Sequence, residues 1–550
     1  MQLKSYLLTA LFITSSLVSS TAQTTYFVDA SRPDNSAAGT SWLTAKRDLQ
    51  IAINIATSGD IIWVKSGTYI PTHDPFGNTT PANNRDKTFT LKNGVKLYGG
   101  FAGNETTLNQ RNWNVNVTTL SGDLGIVNTL SDNAYHVVIS VNLNNVTSLD
   151  GFSITKGYAT APGASSITVN TRVLDRYKAG GIYNINSATT FANCIIKNNS
   201  ADCTNQNDDS WGAGAVSINC NSTFINCIID NNSFLIGGNS FGVFGAGMLI
   251  GGGNCTIDKC VFYNNTGGSG FIDASRGGAL NFSGSHTITN TVFYNNSAQN
   301  GAAMQAEGAA DNTSIISNCS FINNTSSFAG TAYQGFSNAT FKNCIFWNNP
   351  PTANAGVAGR NEIFSQDNRI GIQPIFQNCI IRDAMGSPLA ITNAVVNNCL
   401  NSNPLFTNAT DGDGVDNIWA TADDGLTLQS NSPAINFGLT GVGIPTTDIL
   451  GNTRDTQPDL GTYEFGVLNT VLFEKNEYLI YPNPSNDFIN IIAKSDIEEL
   501  KVIDITGNIL LELKLNSREI ILNLSSFPSG IYFLKVKSEN TLEIKKIIKK

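Results

Sequence analysis

The chain has 550 residues, a formal net charge of −9, 50 glycines and charged side chains at only 14% of positions. It carries no basic stripe interleaved with aromatics, which argues against nucleic acid as a partner. Its middle is rich in Asn, Gly, Ser and Thr, yet apolar residues recur there at fixed places, as in an ordered β array and unlike a disordered chain.

Residues 1–22 read as a signal peptide: Lys4 gives a positive start, "LLTALFITSSLV" (7–18) an apolar core too short to span a bilayer comfortably, and Ser20-Thr21-Ala22 a small-residue cleavage site. No later stretch approaches 18 apolar residues, so the mature chain is expected to have no transmembrane segment. Residues 23–100 read as an N-terminal cap and first coils. The pattern there predicts a strand over Tyr26–Asp29, an amphipathic helix over 44–57, a turn at Ser58-Gly59-Asp60 and a strand through "IIWVKSGTY" (61–69).

An octet then repeats: "NCIIKNNS" (193–200), "NCIIDNNS" (226–233), "KCVFYNNT" (259–266), "NTVFYNNS" (290–297), "NCSFINNT" (318–325) and "NCIFWNNP" (343–350), with degenerate forms at 378–385 and 398–403. Repeats at this spacing announce an array of stacked supersecondary units. Within "STFINCIIDNN" (222–232), Asn226 suits a corner because Asn tolerates the left-handed conformation; Cys227 and Ile229 then share one parity and face inward, and Asn231-Asn232 makes the next corner. About a dozen residues before each octet stands a small-residue turn and a strand, as in "GAGAVSI" (212–218) and "RGGALNF" (276–282). Three short strands per repeat, each unable to bury its face alone, predict a parallel β-helix in which like residues stack coil on coil. The many N-x-S/T triplets then read as corners rather than glycosylation acceptors.

All ten cysteines fall between Cys194 and Cys399. Cys194, Cys227, Cys260, Cys319, Cys344, Cys379 and Cys399 occupy the repeat column, where Thr291 substitutes once; a position that accepts Thr is a small core filler, and these are expected to be buried free thiols. Cys203, Cys220 and Cys255 lie off the column and are the better disulfide candidates. His73, His136 and His286 are scattered and predicted at exposed or ladder positions, and "GNSFG" (238–242) lacks the strand-turn-helix setting of a nucleophile elbow.

Two clusters carry possible chemistry. Asp175, Arg176, Lys178, Asp208, Asp209, Asp273 and Arg276 precede successive coils and would gather on one face; of these, Asp208, Asp209 and Asp273 are the candidate catalytic carboxylates of a polysaccharide-active enzyme. In "NATDGDGVDNIWATADDG" (408–425), Asp411, Asp413, Asp416, Asp423 and Asp424 offer oxygen ligands to a structural Ca²⁺, without the closing Glu of an EF-hand. From about residue 470 Lys becomes frequent and short alternating strands return, predicting a small β-sandwich.

"GTSWLTA", "SGDIIWVKSGTY", "LYGGFAGNETTLNQRNW" and "LDGFSITKG" resemble the opening of secreted bacterial right-handed parallel β-helix proteins. "GGAL" (277–280), "FYNN", "FINN" and "FWNN" resemble the repeats of polymorphic outer-membrane proteins, a family associated with adhesion, although the β-barrel autotransporter usual there is absent. Residues 426–465 resemble a closing module called choice-of-anchor. Residues 466–550 resemble the type A sorting domain of type IX secretion, on Tyr481-Pro482-Asn483-Pro484, Pro528, Gly530 and the terminal Lys545, Lys546, Lys549 and Lys550.

The expectation is therefore an all-β chain: a right-handed parallel β-helix with an N-terminal cap, its rod and closing module over 101–465, followed by a small C-terminal Ig-like β-sandwich over 466–550. The resemblance implies the type IX secretion machinery as partner and a secreted protein, extracellular or attached to the outer-membrane surface of a Gram-negative cell. The expected role is adhesion, or binding of a glycan or of a host or neighbour surface ligand; the alternative is a polysaccharide lyase or hydrolase on the same scaffold.

Overall fold

The computed structural model describes residues 23–160, 165–202, 209–235, 242–268, 275–308, 313–335, 337–350, 362–365, 373–381, 391, 393–466, 478–538 and 541–550. The chain divides into two compact units at Val467/Leu468.

The first unit is a parallel β-helix. Its strands stack into three long sheets of 12, 10 and 9 strands, here sheets I, II and III, each in register from coil to coil. Thr190–Ala192, Thr223–Ile225 and Thr256–Asp258 lie in sheet I; Ile195–Lys197, Ile228–Asp230 and Val261–Tyr263 in sheet II; Ile182–Ile185, Ala215–Cys220 and Met248–Gly253 in sheet III. A lateral five-stranded sheet joins Ser210–Trp211, Val243–Phe244, Ser275–Arg276, Ser297–Asn300 and Thr325–Ala329.

The corners follow the octet. Asn193, Asn226, Asn290, Asn318 and Asn343 turn the chain from sheet I to sheet II with φ near +50°, and Lys259 takes the same conformation in its copy. Asn198, Asn231, Asn264, Asn295 and Asn323 turn it again after sheet II. Before sheet III glycine is required: Gly245 has φ +67°, and a Cβ there would stand 2.1 Å from the Met248 carbonyl oxygen.

The second Asn of each pair is buried and builds an internal ladder. Asn199 Nδ2 donates to Asn232 Oδ1 at 3.1 Å, Asn232 to Asn265 at 3.1 Å, and Asn265 to Asn296, Asn296 to Asn324 and Asn324 to Asn349 at 3.0 Å each. The other Nδ2 hydrogen of each donates to a carbonyl one coil back, as Asn265 does to Ile229 at 2.8 Å. At the last rung Asn349 Nδ2 meets Glu362 Oε1. The outer Asn residues stack with the opposite polarity, Asn226 donating to Asn193 and Asn231 to Asn198, both at 2.6 Å.

The interior is apolar and equally periodic. Phe262, Phe293, Phe321 and Phe346 stack face to face at 5.0, 4.8 and 4.5 Å. The column cysteines apart from Cys399 are buried, and each of these sulfurs donates weakly to a carbonyl one coil back, Cys227 to Phe191 at 3.4 Å for example. Thr291 fits because its hydroxyl also donates, to Thr289 O at 2.8 Å. Cys220 and Cys255, read from sequence as disulfide candidates, are free, buried thiols as well. Cys255 Sγ donates to the Cys220 carbonyl at 3.3 Å, so the two are neighbours in the stack, where side chains run parallel and sulfur meets backbone rather than sulfur. Cys203 lies outside the described residues. Burial pushes the Cys220 thiol up to about 11 and the Cys255 thiol up to about 12, so neither is a thiolate at neutral pH. A water-soluble disulfide reagent is therefore expected to leave the described column thiols, apart from the partly exposed Cys399, unmodified for hours in the native protein and to titrate them all in urea. Rapid native labelling would show the stack to be open.

Other local expectations change. The helix is only Leu49–Ile55; Leu49, Ala52 and Ile53 bury one face against the first coil, and the chain before Leu49 returns through a bridge from Lys46 to Val28 instead of continuing the helix. "IIWVKSGTY" is two strands, Ile61–Lys65 in sheet I and Gly67–Tyr69 in sheet II, because Gly67 turns the corner at φ +147°. None of the three histidines is exposed. His136 donates from Nδ1 to Ala179 O at 2.9 Å and is pushed by burial down to about 4, hence neutral; His286 Nδ1 accepts the Cys255 N–H at 3.1 Å.

Residues 403–465 do not continue the coils. They fold back along the outer face of sheet II. Phe406, Trp419, Leu426, Leu428, Ile449, Leu460 and Tyr463 cover the outward column Val261, Val292, Ile345 and Ile380. Corner Asn side chains also bind this segment: Asn290 donates to Thr447 O, Asn318 to Asp459 O, and Asn378 to Phe437 O at 2.8–3.0 Å. Arg454 and Glu464, with side chains 2% and 1% exposed, pair at 2.8 Å, and Arg454 also donates to Asn290 Oδ1. Tyr463 donates its hydroxyl to Asp424.

Burial raises both Asp424 and Asp459 to about 6, above their ordinary value of 3.8. Carboxyls that hold protons more tightly when folded add stability that is fully present below about pH 4 and is lost as pH rises through about 6. Amide exchange of 403–465, corrected for intrinsic rate, is thus expected to be better protected at pH 4.5 than at 7.5, and Asp424→Asn to flatten this difference. Equal protection at both pH values would contradict it.

The second unit is one five-stranded antiparallel sheet. Its two long strands, Phe488–Ile503 and Ile509–Asn523, shift register between Ile492 and Ile497, so the sheet bends around a core of Ile489, Ile491, Leu500, Val502, Leu522, Leu534 and Ile547.

Candidate functional site

Two regions concentrate the polar and charged residues singled out in the sequence. The first is a strip on the side of the rod, beside sheet III. Its outward column reads Tyr183, Val216, Leu249, Asn281, Gln305, Gln334 in successive coils. The column is apolar where the hairpin Ser166–Val169/Arg172–Asp175 covers it and turns to amides beyond.

Several charges singled out in the sequence gather here. Arg176 clamps Asp86 through two bonds of 2.7 and 2.8 Å. Lys178 pairs with Asp175 at 2.9 Å and sits 3.8 Å over the Trp211 ring. In the next coils Trp211 aligns with Phe244, and Phe244 with Arg276. The Arg276 guanidinium lies 5.5 Å over Phe244 and pairs with Glu307 at 3.4 Å. Burial pushes the Glu307 carboxyl up, partly offset by Arg276. Asp209 Oδ1 accepts the Gly242 N–H at 2.8 Å, which fixes the start of the next lateral strand. Asp208, Asp273 and the first four residues of "GNSFG" lie outside the described residues.

Sequence reasoning missed Arg85, whose guanidinium lies 4.0 Å over Tyr135 and donates to Asn133 O at 2.6 Å. It also missed Glu307 and the pairing role of Asp86. No local signal announces these, since each partner is 31 to 90 residues away.

The aspartates offered to calcium are spread around their loop. Asp423 Oδ2 accepts the Val415 and Asp416 N–H groups at 2.9 and 3.2 Å, Asp416 Oδ1 accepts Ile418 N–H at 2.8 Å, and Asp424 accepts Ala420 N–H at 2.9 Å. Asp413 is raised by burial and by the nearby Asp411 and Asp416. Among the described residues no three His, Cys, Asp or Glu side chains stand close enough to hold a metal ion.

The second region is in the C-terminal unit, where features far apart in sequence meet. Asn483 Nδ2 donates to Lys546 O at 2.8 Å, and its Oδ1 accepts Ile548 N–H at 2.9 Å. Lys550 N–H donates to Ser485 O at 2.8 Å, and Lys549 pairs with Asp487 at 3.0 Å. Gly530 pairs with Lys549 in the sheet, Lys545 lies opposite Leu534, and Tyr532 donates to Pro528 O at 2.7 Å. Tyr481, Pro482 and Pro484 flank Asn483, so the Tyr-Pro-Asn-Pro segment and the terminal lysine strand form one patch.

Residues 479–550 match the family of secretion system C-terminal sorting domains, and residues 248–433 match the right-handed β-helix region family. No curated protein matches the chain. Among solved structures it is similar to pectate lyase Pel9A, at 13% identity and TM-score 0.49, covering 81% of this chain and 97% of that one. It is also similar to a rhamnogalacturonan lyase, at 12% identity and TM-score 0.30 over 74% and 97% of the two chains. A pectin methylesterase from Aspergillus niger follows, at 15% identity and TM-score 0.22 over 70% and 86%. Among the described residues no helix is long and apolar enough to cross a membrane. With parallel coils along the rod and a matched sorting domain at residues 479–550, the chain is a secreted or cell-surface right-handed β-helix protein bearing a type IX secretion sorting domain.

Proposed function

We propose that this protein is an extracellular binding protein of the adhesin kind, displayed or released through type IX secretion, and that it engages a glycan or protein surface along the strip beside sheet III. The observation that carries this reading is the chemistry of the strip. Two partly exposed aromatic rings, Trp211 and Phe244, are held in register on adjacent coils, accompanied by the cations Lys178 and Arg276. Asp86, Asp175, Asp209 and Glu307 are each engaged by a partner in the fold. Aromatic rings flanked by cations whose carboxylate partners are already engaged suit recognition, whereas hydrolysis of a glycosidic bond calls for two carboxyl groups across an open groove.

One observation favours the enzyme reading: Glu307 is a carboxyl raised by burial beside a guanidinium, a setting used for general acids. One experiment separates the two. The purified chain is passed over neutral and acidic polysaccharides with Ca²⁺ and with EDTA, and retention and product release are recorded together. Binding predicts retention without new reducing or unsaturated ends, weakened at least tenfold in Trp211→Ala and Phe244→Ala. Product release abolished by Glu307→Gln, or by Asp208→Asn with Asp273→Asn, would replace binding with catalysis.

A further inference from the structure

A cavity of about 670 Å³ opens among the first coils of the rod. We infer that it is a binding site for a neutral saccharide, taking the terminal ring or rings of a glycan.

Five separate segments line it: the helix through Gln50, Ile53 and Asn54, the loop 74–77, the stretch 90–93, residues 141–143, and Asn170 in the turn of the lateral hairpin. The volume lies within the range of small-ligand sites. The walls are tied together before any ligand arrives. Gln50 holds Thr90 through both ends of its amide, at 2.9 and 3.4 Å. Lys92 Nζ donates to Asn54 O at 2.8 Å, and Asn142 Nδ2 donates to Asn170 O at 2.7 Å. A site fixed in this way loses little ordering entropy on binding.

The rim carries an aromatic ring that folding alone does not require. Phe76 is 61% exposed. The backbone that carries it is held in a turn: Asp74 accepts the Phe76 and Asn78 N–H groups at 3.0 and 2.8 Å and the Asn78 side chain at 2.9 Å. The exposed ring leaves an apolar face on which a ligand can stack. The apolar face of a sugar ring does so, and its hydroxyls need both donors and acceptors at the edges. Asn54, Asn93 and Asn170 supply them. The Nδ2 groups of Asn54 and Asn93 and the side chain of Asn170 make no hydrogen bond among the described residues, while Asn54 and Asn93 are oriented through their Oδ1 atoms by Gln50 and by the Asn144 N–H.

Charge selects the class of sugar. Asp74 and Lys92 are the only charged residues in the lining, and both are engaged as described. No guanidinium or unengaged ammonium is present in the lining to receive a uronate, so the site favours neutral rings over acidic ones.

The test is calorimetric titration of the full chain with cellotetraose, xylotetraose, mannotetraose, galactotetraose and chitotetraose, and with tetragalacturonate as the acidic comparison. At least one neutral ligand should bind, with the acidic one at least tenfold weaker. Phe76→Ala should weaken binding at least tenfold, Phe76→Trp should keep it, and Asn93→Ala and Asn170→Ala should each weaken it about threefold or more. Because Phe76 is mostly exposed, its Ala variant should melt with the parent, which a thermal scan records. The proposal is overturned if none of the neutral ligands binds, if binding survives Phe76→Ala, or if tetragalacturonate binds best.

Discussion

Arg454→Met is expected to release the closing segment from the rod. Arg454 is nine-tenths or more buried and satisfies Glu464, Asn290 Oδ1 and the Gly461 and Thr462 carbonyls. Its removal leaves Glu464 without a counter-charge in a site already occupied by Asp448 and Asp459. Breaking a buried pair from one side costs about 3–5 kcal/mol. The segment is held to sheet II by this network together with one apolar layer, so it should detach at urea concentrations that leave the coils intact. Trp419 reports the event, since it packs 5.5 Å from Tyr263 and 5.3 Å from Tyr294 and would be exposed on release. A red-shifted emission, absent when Trp419 is Phe, should appear before the loss of β signal. The freed face carries Val261, Val292, Ile345 and Ile380, so the variant should also self-associate. Replacing Glu464 with Leu in the same chain should recover much of the loss, because no uncompensated charge then remains. An unchanged Trp419 transition in Arg454→Met would show that the segment is held by the apolar layer alone.

Asn265→Leu should be the most damaging single change in the coils. The side chain fits the volume but removes both ends of a rung. Asn232 loses the acceptor of its N–H and its Nδ2, while Asn296 Oδ1 and the Ile229 carbonyl lose a donor. Each buried group left without a partner costs about 1–3 kcal/mol, so a loss on the order of 4 kcal/mol is expected. Cys260→Ala in the adjacent column removes one weak donor and a small volume, and should cost about 1–2 kcal/mol. The outer corner separates chemistry from conformation: Asn264→Gly should be nearly neutral, and Asn264→Ala should cost about 1 kcal/mol because φ is +53° there. Urea midpoints of the four variants order these effects. Should Asn265→Leu melt no earlier than Cys260→Ala, the ladder would be decoration on an apolar stack.

The octet itself determined most of the rod. Its Asn corners, its inward Cys and Ile or Phe, and its alternation place three strands per coil, because an array of identical units has only one way to bury each face, against its own copy. The sorting domain was legible for a related reason: Tyr481–Pro484, Pro528–Tyr532 and the terminal lysines keep their order and spacing in a single short unit. Tertiary structure alone decided what covers the outward side of sheet II. With Cys227 and Ile229 inward, the neighbouring Ile228 and its counterpart Val261 face outward, and residues 403–465 supply their cover from more than 140 residues away. The same distance hid the lateral partners, Arg176 with Asp86 and Arg276 with Glu307. Periodicity reports contacts between equivalent residues. Contacts between inequivalent ones leave no period, and here they build both the ion pairs beside the lateral strip and the N-terminal cavity.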